Sequence, residues 1–286
     1  MVPARDVVAT FIDRFDVGQQ IAIGSALAAI GVLLVRFLAM RAERLVGPRQ
    51  VDGVDARLFH PALLPLTLFV WLLAAKATTA LGPVKTIAAD GSTRLDLHRV
   101  GVAALIVAAT LLAFLIGWTR QRGAALAALG LDARSLAPSC ALALLAYVAF
   151  APVQLGTMFL HSGICAWLGI TLPEQASVAA FRDHPAWHGD PLVIAGIVLA
   201  APLLEELLYR AVLLRFALRW LPRAAAIAAV AVLFALMHDA GQPTVLVLGL
   251  ALTWLMARTG NLAAPLLFHA LHNGLTLFVL AHSENA

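Results

Sequence analysis

Two adjacent acids and an arginine interrupt one of the most apolar stretches of this 286-residue chain, Ala200-Ala-Pro-Leu-Leu-Glu-Glu-Leu-Leu-Tyr-Arg210. Pro191 to Leu204 carries no charge, and Ala211 to Leu214 is apolar again. On a membrane helix Glu205 and Glu206 lie near mid-bilayer, where a charge costs from about 3 to over 10 kcal/mol, so such acids mark a functional site by default. Glu206 and Arg210 stand i,i+4 and can pair along one face. Glu205, turned by about 100°, faces elsewhere and stays free for chemistry. The plainer reading is a buried Glu–Arg pair that holds helices together.

Partners at comparable depth are few. Phe234-Ala-Leu-Met-His238 closes a later apolar run, and Phe268-His269-Ala-Leu-His272-Asn273 lies within the last one. His269 and Asn273 share a face, and His272 lies close enough that either histidine can face a site. Read alone, His238 is an interfacial or capping residue, and the His269 group is interhelical hydrogen-bonding glue of about 0.6–2 kcal/mol. Read jointly, acid, imidazole and amide fall on three separate apolar helices, while the first four spans are almost free of such groups. A carboxylate and two imidazoles in a dry bundle suit the activation of water, because desolvation raises a carboxylate toward a useful general-base range.

The elements that must carry these residues are membrane helices. The chain is 62% hydrophobic and 13% charged, with mean hydropathy +0.89, against about 25% charged in soluble domains. About 20 apolar residues span a bilayer, which predicts an all-α, polytopic bundle of eight spans with a catalytic cavity among the C-terminal helices. The spans are Val17–Leu38, Pro61–Leu81, Val100–Trp118, Leu136–Leu160, Pro191–Leu214, Ala224–Met237, Val245–Ala257 and Leu262–Ala281. The sixth and seventh are short. Turn signals stand at Gly47-Pro48, Asp52-Gly53 and Asp90-Gly91. The longest connector, Gly169–Asp190, carries Glu174, Arg182, Asp183, His184, Trp187 and His188. Its Trp and His residues mark the membrane interface, and substrate gating is the alternative role.

Connectors after the odd-numbered spans hold twelve basic residues against six on the other side, which places both termini outside. The net charge of +4 and pI near 9.7 reflect these topology signals and not nucleic-acid binding. Cys140 and Cys165 sit in apolar surroundings and form neither a disulfide framework nor a zinc ribbon. The mixed-charge N-terminus has no basic n-region or cleavage site, so no cleavable signal peptide is expected. Alanine and arginine enrichment fits a GC-rich bacterial genome, hence a bacterial cytoplasmic membrane.

The three motifs resemble those of the CPBP intramembrane proteases, the CAAX-processing and bacteriocin-processing group to which the Ras-converting CAAX endopeptidase belongs. The family's two glutamates, three residues and arginine are matched by Glu205, Glu206 and Arg210. Its phenylalanine, three residues and histidine are matched by Phe234 and His238, and its histidine, three residues and asparagine by His269 and Asn273. Gly249, Arg258-Thr-Gly-Asn261 and Pro265 look like the family's run into that last histidine. Tyr209 and Ala211 depart from a frequent phenylalanine and glycine. The likeness covers roughly 191–280, with a weaker trace at Leu129-Gly-Leu131, which divides the chain into an N-terminal three-helix region, 1–128, and a protease domain, 129–286.

The resemblance implies an endopeptidase acting on a membrane-associated or prenylated, CAAX-like protein or peptide. Glu205 would activate water with His238, His269 and Asn273 would hold the oxyanion, Glu206 and Arg210 would be the structural pair, and Phe234 would support them. In a metalloprotease version Glu205, His238 and His269 would bind zinc and leave a position for water; the HExxH motif is absent, and a metal-independent glutamate mechanism is the reading preferred. Two uses without peptidase chemistry remain open, a scaffold or bacteriocin-immunity protein of the same fold and a proton-relay transporter, the latter weakened by the lack of an internal repeat.

Overall fold

The computed structural model describes residues 11–12, 14–47, 58–82, 84–87, 93–171, 181, 185–238 and 243–283. Eight helices follow in order among them: α1 (Val17–Val46), α2 (Leu63–Thr78), α3 (Leu97–Gln121), α4 (Leu136–Trp167), α5 (Pro191–Trp220), α6 (Arg223–Leu236), α7 (Pro243–Thr259) and α8 (Ala263–Ser283). The fold is all-helical apart from a small antiparallel ribbon, β1 (Lys85–Ile87) with β2 (Thr93–Leu95). The turn signals at Asp52-Gly53 and Asp90-Gly91, and Glu174, Arg182, Asp183 and His184, lie outside the described residues.

Six of the helices are long and apolar enough to cross a membrane; α6 and α7, with 14 and 17 residues, are the short ones. Large apolar side chains such as Leu33, Val148 and Leu236 are about two-thirds exposed. A soluble surface rarely tolerates such a band, and lipid does. The chain is an integral membrane protein.

The helices meet through small residues, as lipid-embedded helices must when apolar area gives no drive for association. A Cβ on Gly24 of α1 would stand 2.8 Å from the Leu160 nitrogen and 2.9 Å from the Gly156 carbonyl of α4. Gly101 of α3 and Gly196 of α5 touch backbone to backbone. At that end Asp190 caps α5, accepting from the Leu192 and Val193 amides at 2.9 and 3.3 Å. The His98 ring at 2.6 Å, together with these amides, holds the Asp190 carboxyl below the ordinary carboxylate range.

Helix α5 is the most enclosed of the long helices, with 39% of its apolar stretch buried against 17–28% for the others. It is not uniformly α-helical. Two π-helical segments, Gly196–Ala200 and Leu207–Leu213, flank the α-turns of Ala201–Glu206. A π segment offsets the register of side chains beyond it and frees a carbonyl, and such bulges recur at functional sites.

The start of α8 is fixed by the turn before α4. Gly130 adopts φ +87, and its carbonyl accepts the Leu262 amide at 2.8 Å. Asn261, 2% exposed, donates Nδ2 to the Asp132 carbonyl at 2.7 Å and to Ser135 Oγ at 2.9 Å, while its Oδ1 caps α8 at the Ala263 amide. A Cβ at Gly130 would stand 2.8 Å from Met256 Cε and 3.0 Å from the Leu262 nitrogen. Gly130→Ala is therefore expected to cost about 1–3 kcal/mol and to lower the melting temperature; an unchanged melt contradicts this anchoring.

In the long connector one ring is packed inside the protein. Trp187 is 5% exposed, packs edge-on against Phe181 at 5.2 Å, and donates Nε1 to the Phe181 carbonyl at 3.0 Å. Its neighbour His188 is the exposed one.

Candidate active site

Glu205 and Glu206 leave the α-turns of α5 in two directions. Glu206 is fully buried, and its Oε1 accepts from Arg210 Nη1 and from His269 Nδ1, each at 2.9 Å. Arg210, also fully buried, places Nη2 3.4 Å from the Gly249 carbonyl of α7, which Thr253 Oγ1 also meets at 2.7 Å. The Arg210 guanidinium carbon lies 4.4 Å from the Phe234 ring centroid and 5.6 Å from that of Tyr209, a cation–π seat between α5 and α6. Four helices are thus tied at one buried ion pair.

Glu205 faces a different space. Its side chain is 27% exposed, and both His238 Nε2 and His269 Nε2 stand 3.7 Å from its Oε2. That oxygen has no hydrogen-bond partner. His238 lies just past the end of α6, with Nδ1 2.7 Å from the Phe234 carbonyl. A carbonyl only accepts, so this Nδ1 carries the proton; the Glu206 carboxylate imposes the same on His269 Nδ1. In the neutral rings both Nε2 atoms are then bare. Three acceptor atoms then face one spot, which suits a proton donor or a cation.

Asn273, one turn after His269, donates Nδ2 to the Ile197 carbonyl at 3.0 Å. Ile197 lies in the first π segment of α5, so the amide satisfies a backbone group in irregular helix while its second N–H stays available. The His272 ring makes no hydrogen bond among the described residues; of the two histidines it is His269 that meets both acids. The sequence points to Asn261 only as the end of Arg258-Thr-Gly-Asn261, the stretch that resembles the family's run into His269, and does not point to Thr253, a hydroxyl one helical turn after Gly249 and too common a feature to weigh.

The donor set suits zinc by type, since each bare Nε2 is backed by an Nδ1–H bond to carbonyl or carboxylate, the usual orientation of metal-binding histidines. Two ligands of a tetrahedral zinc stand roughly 3.3 Å apart; the separations here, 3.7 Å from Glu205 Oε2 to each Nε2, are a few tenths of an ångström wider, and among the described residues no group of three His, Cys, Asp or Glu is close enough to hold an ion as it stands.

No curated protein and no solved structure matches the chain. Residues 187–275, which hold every one of Glu205, Glu206, Arg210, Phe234, His238, His269 and Asn273, match the model of the Rce1-like family, type II CAAX prenyl endopeptidases of the CPBP group.

Proposed function

We propose that the chain is an intramembrane endopeptidase that hydrolyses a peptide bond in a membrane-associated or lipidated protein or peptide, with water activated by Glu205. The observation that carries this reading is the unpartnered Glu205 Oε2 facing the Nε2 atoms of His238 and His269 at 3.7 Å. A water there donates one hydrogen to Glu205 and the other to His238 Nε2. Glu205 takes a proton as the oxygen attacks the scissile carbonyl, and returns it to the departing amine. His269 polarises the carbonyl: with a proton on Nε2 it becomes a donor, while its Nδ1–H stays on Glu206, whose charge Arg210 balances. The second amide hydrogen of Asn273 is the other donor for the oxyanion, and such donors contribute about 3–4 kcal/mol each. The sequence within 187–275, matching a family of prenyl endopeptidases, supports the same class of reaction.

In this reading Glu205 itself is the base and the water is activated without a metal, as the lack of an HExxH motif favours. The basic end of the bundle, where α1, α3, α5 and α7 finish, faces the cytoplasm, leaving both termini outside. The test is hydrolysis by the purified protein in proteoliposomes, read by mass spectrometry as new termini on membrane-anchored peptides. Cleavage is expected to persist through dialysis against a chelator. Absence of cleavage across lipidated and unlipidated anchors counts against the peptidase, and loss restored by zinc counts against the metal-free route alone.

A further inference from the structure

A cavity of about 270 Å³ lies between the first turns of α5 and the last turns of α8, with Trp187, Ile194, Val198, Gly274, Leu277 and Phe278 in its wall. The wall is almost wholly apolar; His188 is the one titratable side chain among the described residues that line it. The Trp187 ring is held in place by its Nε1 bond to the Phe181 carbonyl at 3.0 Å. The cavity adjoins the candidate active site. Asn273 Nδ2 meets the Ile197 carbonyl at 3.0 Å, and Gly274 and Val198 are the next residues on the two helices. Leu277 follows His269 and Asn273 at four-residue spacing, so the face of α8 that carries the two site residues continues into the cavity wall.

Gly274 gives the cavity its room. Glycine costs about 1 kcal/mol against alanine inside a helix. Close packing accounts for Gly24, Gly31, Gly101, Gly156 and Gly196, where a Cβ would come within 3.0 Å of another helix's backbone. Among the described residues a Cβ on Gly274 would meet Val198 Cγ1 alone, at 3.8 Å, an ordinary contact. No helix contact calls for glycine there, and the space a side chain would take belongs to the cavity. Asn273 and Leu277 are about 6 Å apart along α8, and an extended peptide advances about 3.3 Å per residue. A substrate held at Asn273 therefore brings to the cavity a side chain about two residues from the scissile bond.

We propose that Gly274 sets the size of a subsite that takes a large apolar side chain of the substrate peptide close to the bond that is cut; this rests on the peptidase reading above. The test uses the full chain in proteoliposomes and membrane-anchored peptides of one sequence, with alanine, leucine or phenylalanine at each position near the cut. At one position the wild type is expected to prefer leucine or phenylalanine over alanine by about tenfold or more in kcat/KM, and Gly274→Leu to bring that ratio close to one. Gly274→Ala, which the distance to Val198 accommodates, is expected to lower the ratio by about fourfold, and it decides the matter should the leucine variant fail to fold. An unchanged ratio in either folded variant overturns the proposal. Occupancy is read without turnover by scanning photoleucine through the same peptides. Adducts on Val198, Leu277 or Phe278 are expected by mass spectrometry in the wild type and are lost in Gly274→Leu. Adducts elsewhere, or none, overturn the subsite, as does a phospholipid with a diazirine in its acyl chain that labels these residues and is not displaced by the peptides. Adducts at the cavity with no peptide cut remove the peptidase reading and leave the cavity's occupant as proposed.

Discussion

Glu205→Gln is expected to abolish peptide hydrolysis, with kcat falling by about 10²- to 10⁴-fold or more, while the protein folds and melts as the wild type does. The side chain is 27% exposed, its Oε2 has no hydrogen bond, and its nearest imidazole nitrogens stand at 3.7 Å. An amide of the same shape removes no structural bond, and it cannot take a proton from water. Single-turnover cleavage and a thermal melt, measured on one preparation, separate these outcomes. A Glu205→Gln protein that cleaves at wild-type rate removes the base from the scheme, whatever its melting temperature.

Arg210→Met should do the opposite, costing stability before chemistry. It strands Glu206 with no exposure and no cation, next to a buried histidine, and breaking a buried pair from one side costs about 3–5 kcal/mol. For a chain of this size that corresponds to a Tm lower by about 10 °C or more. The double variant Glu206→Gln, Arg210→Met leaves no stranded charge and is expected to recover at least half of the loss. If the single variant melts like the wild type, the pair is not what ties α5, α7 and α8 together. If the double variant is no better than the single, the cost lies in lost packing against Phe234 and Tyr209.

Much of this was legible before any coordinates. Charge-free runs near 20 residues gave the helices, because only spans that satisfy their own backbone survive in lipid. The rarity of polar groups in those runs singled out Glu205, His238 and His269. The i,i+4 spacing of Glu206 and Arg210 and their opposite charges suffice to specify a pair within one helix. The π segments of α5 left no such mark: neither Gly196–Ala200 nor Leu207–Leu213, which carries Tyr209 and Arg210, has a local pattern that tells π from α-helix, and the first meets Gly101 and Asn273 only in the packed bundle. The Asn261 bridge to Asp132 and Ser135 spans about 130 positions, a distance at which one sequence carries no pairing information. Nothing in the sequence around Trp187 shows that its ring packs on Phe181 and is buried.

The brevity of α6 and α7 bears on how hydrolysis is supplied with its second reactant. Their 14 and 17 residues rise about 21 and 25 Å, short of the roughly 30 Å of a hydrocarbon slab. Lipid around this side of the protein must thin or dimple to meet them. His238 lies just past the C-terminal end of α6, and its side chain is 35% exposed. A depression in the leaflet at that end would bring water to the carboxylate, and turnover should then be sensitive to acyl-chain length in a way that the same protein in detergent is not.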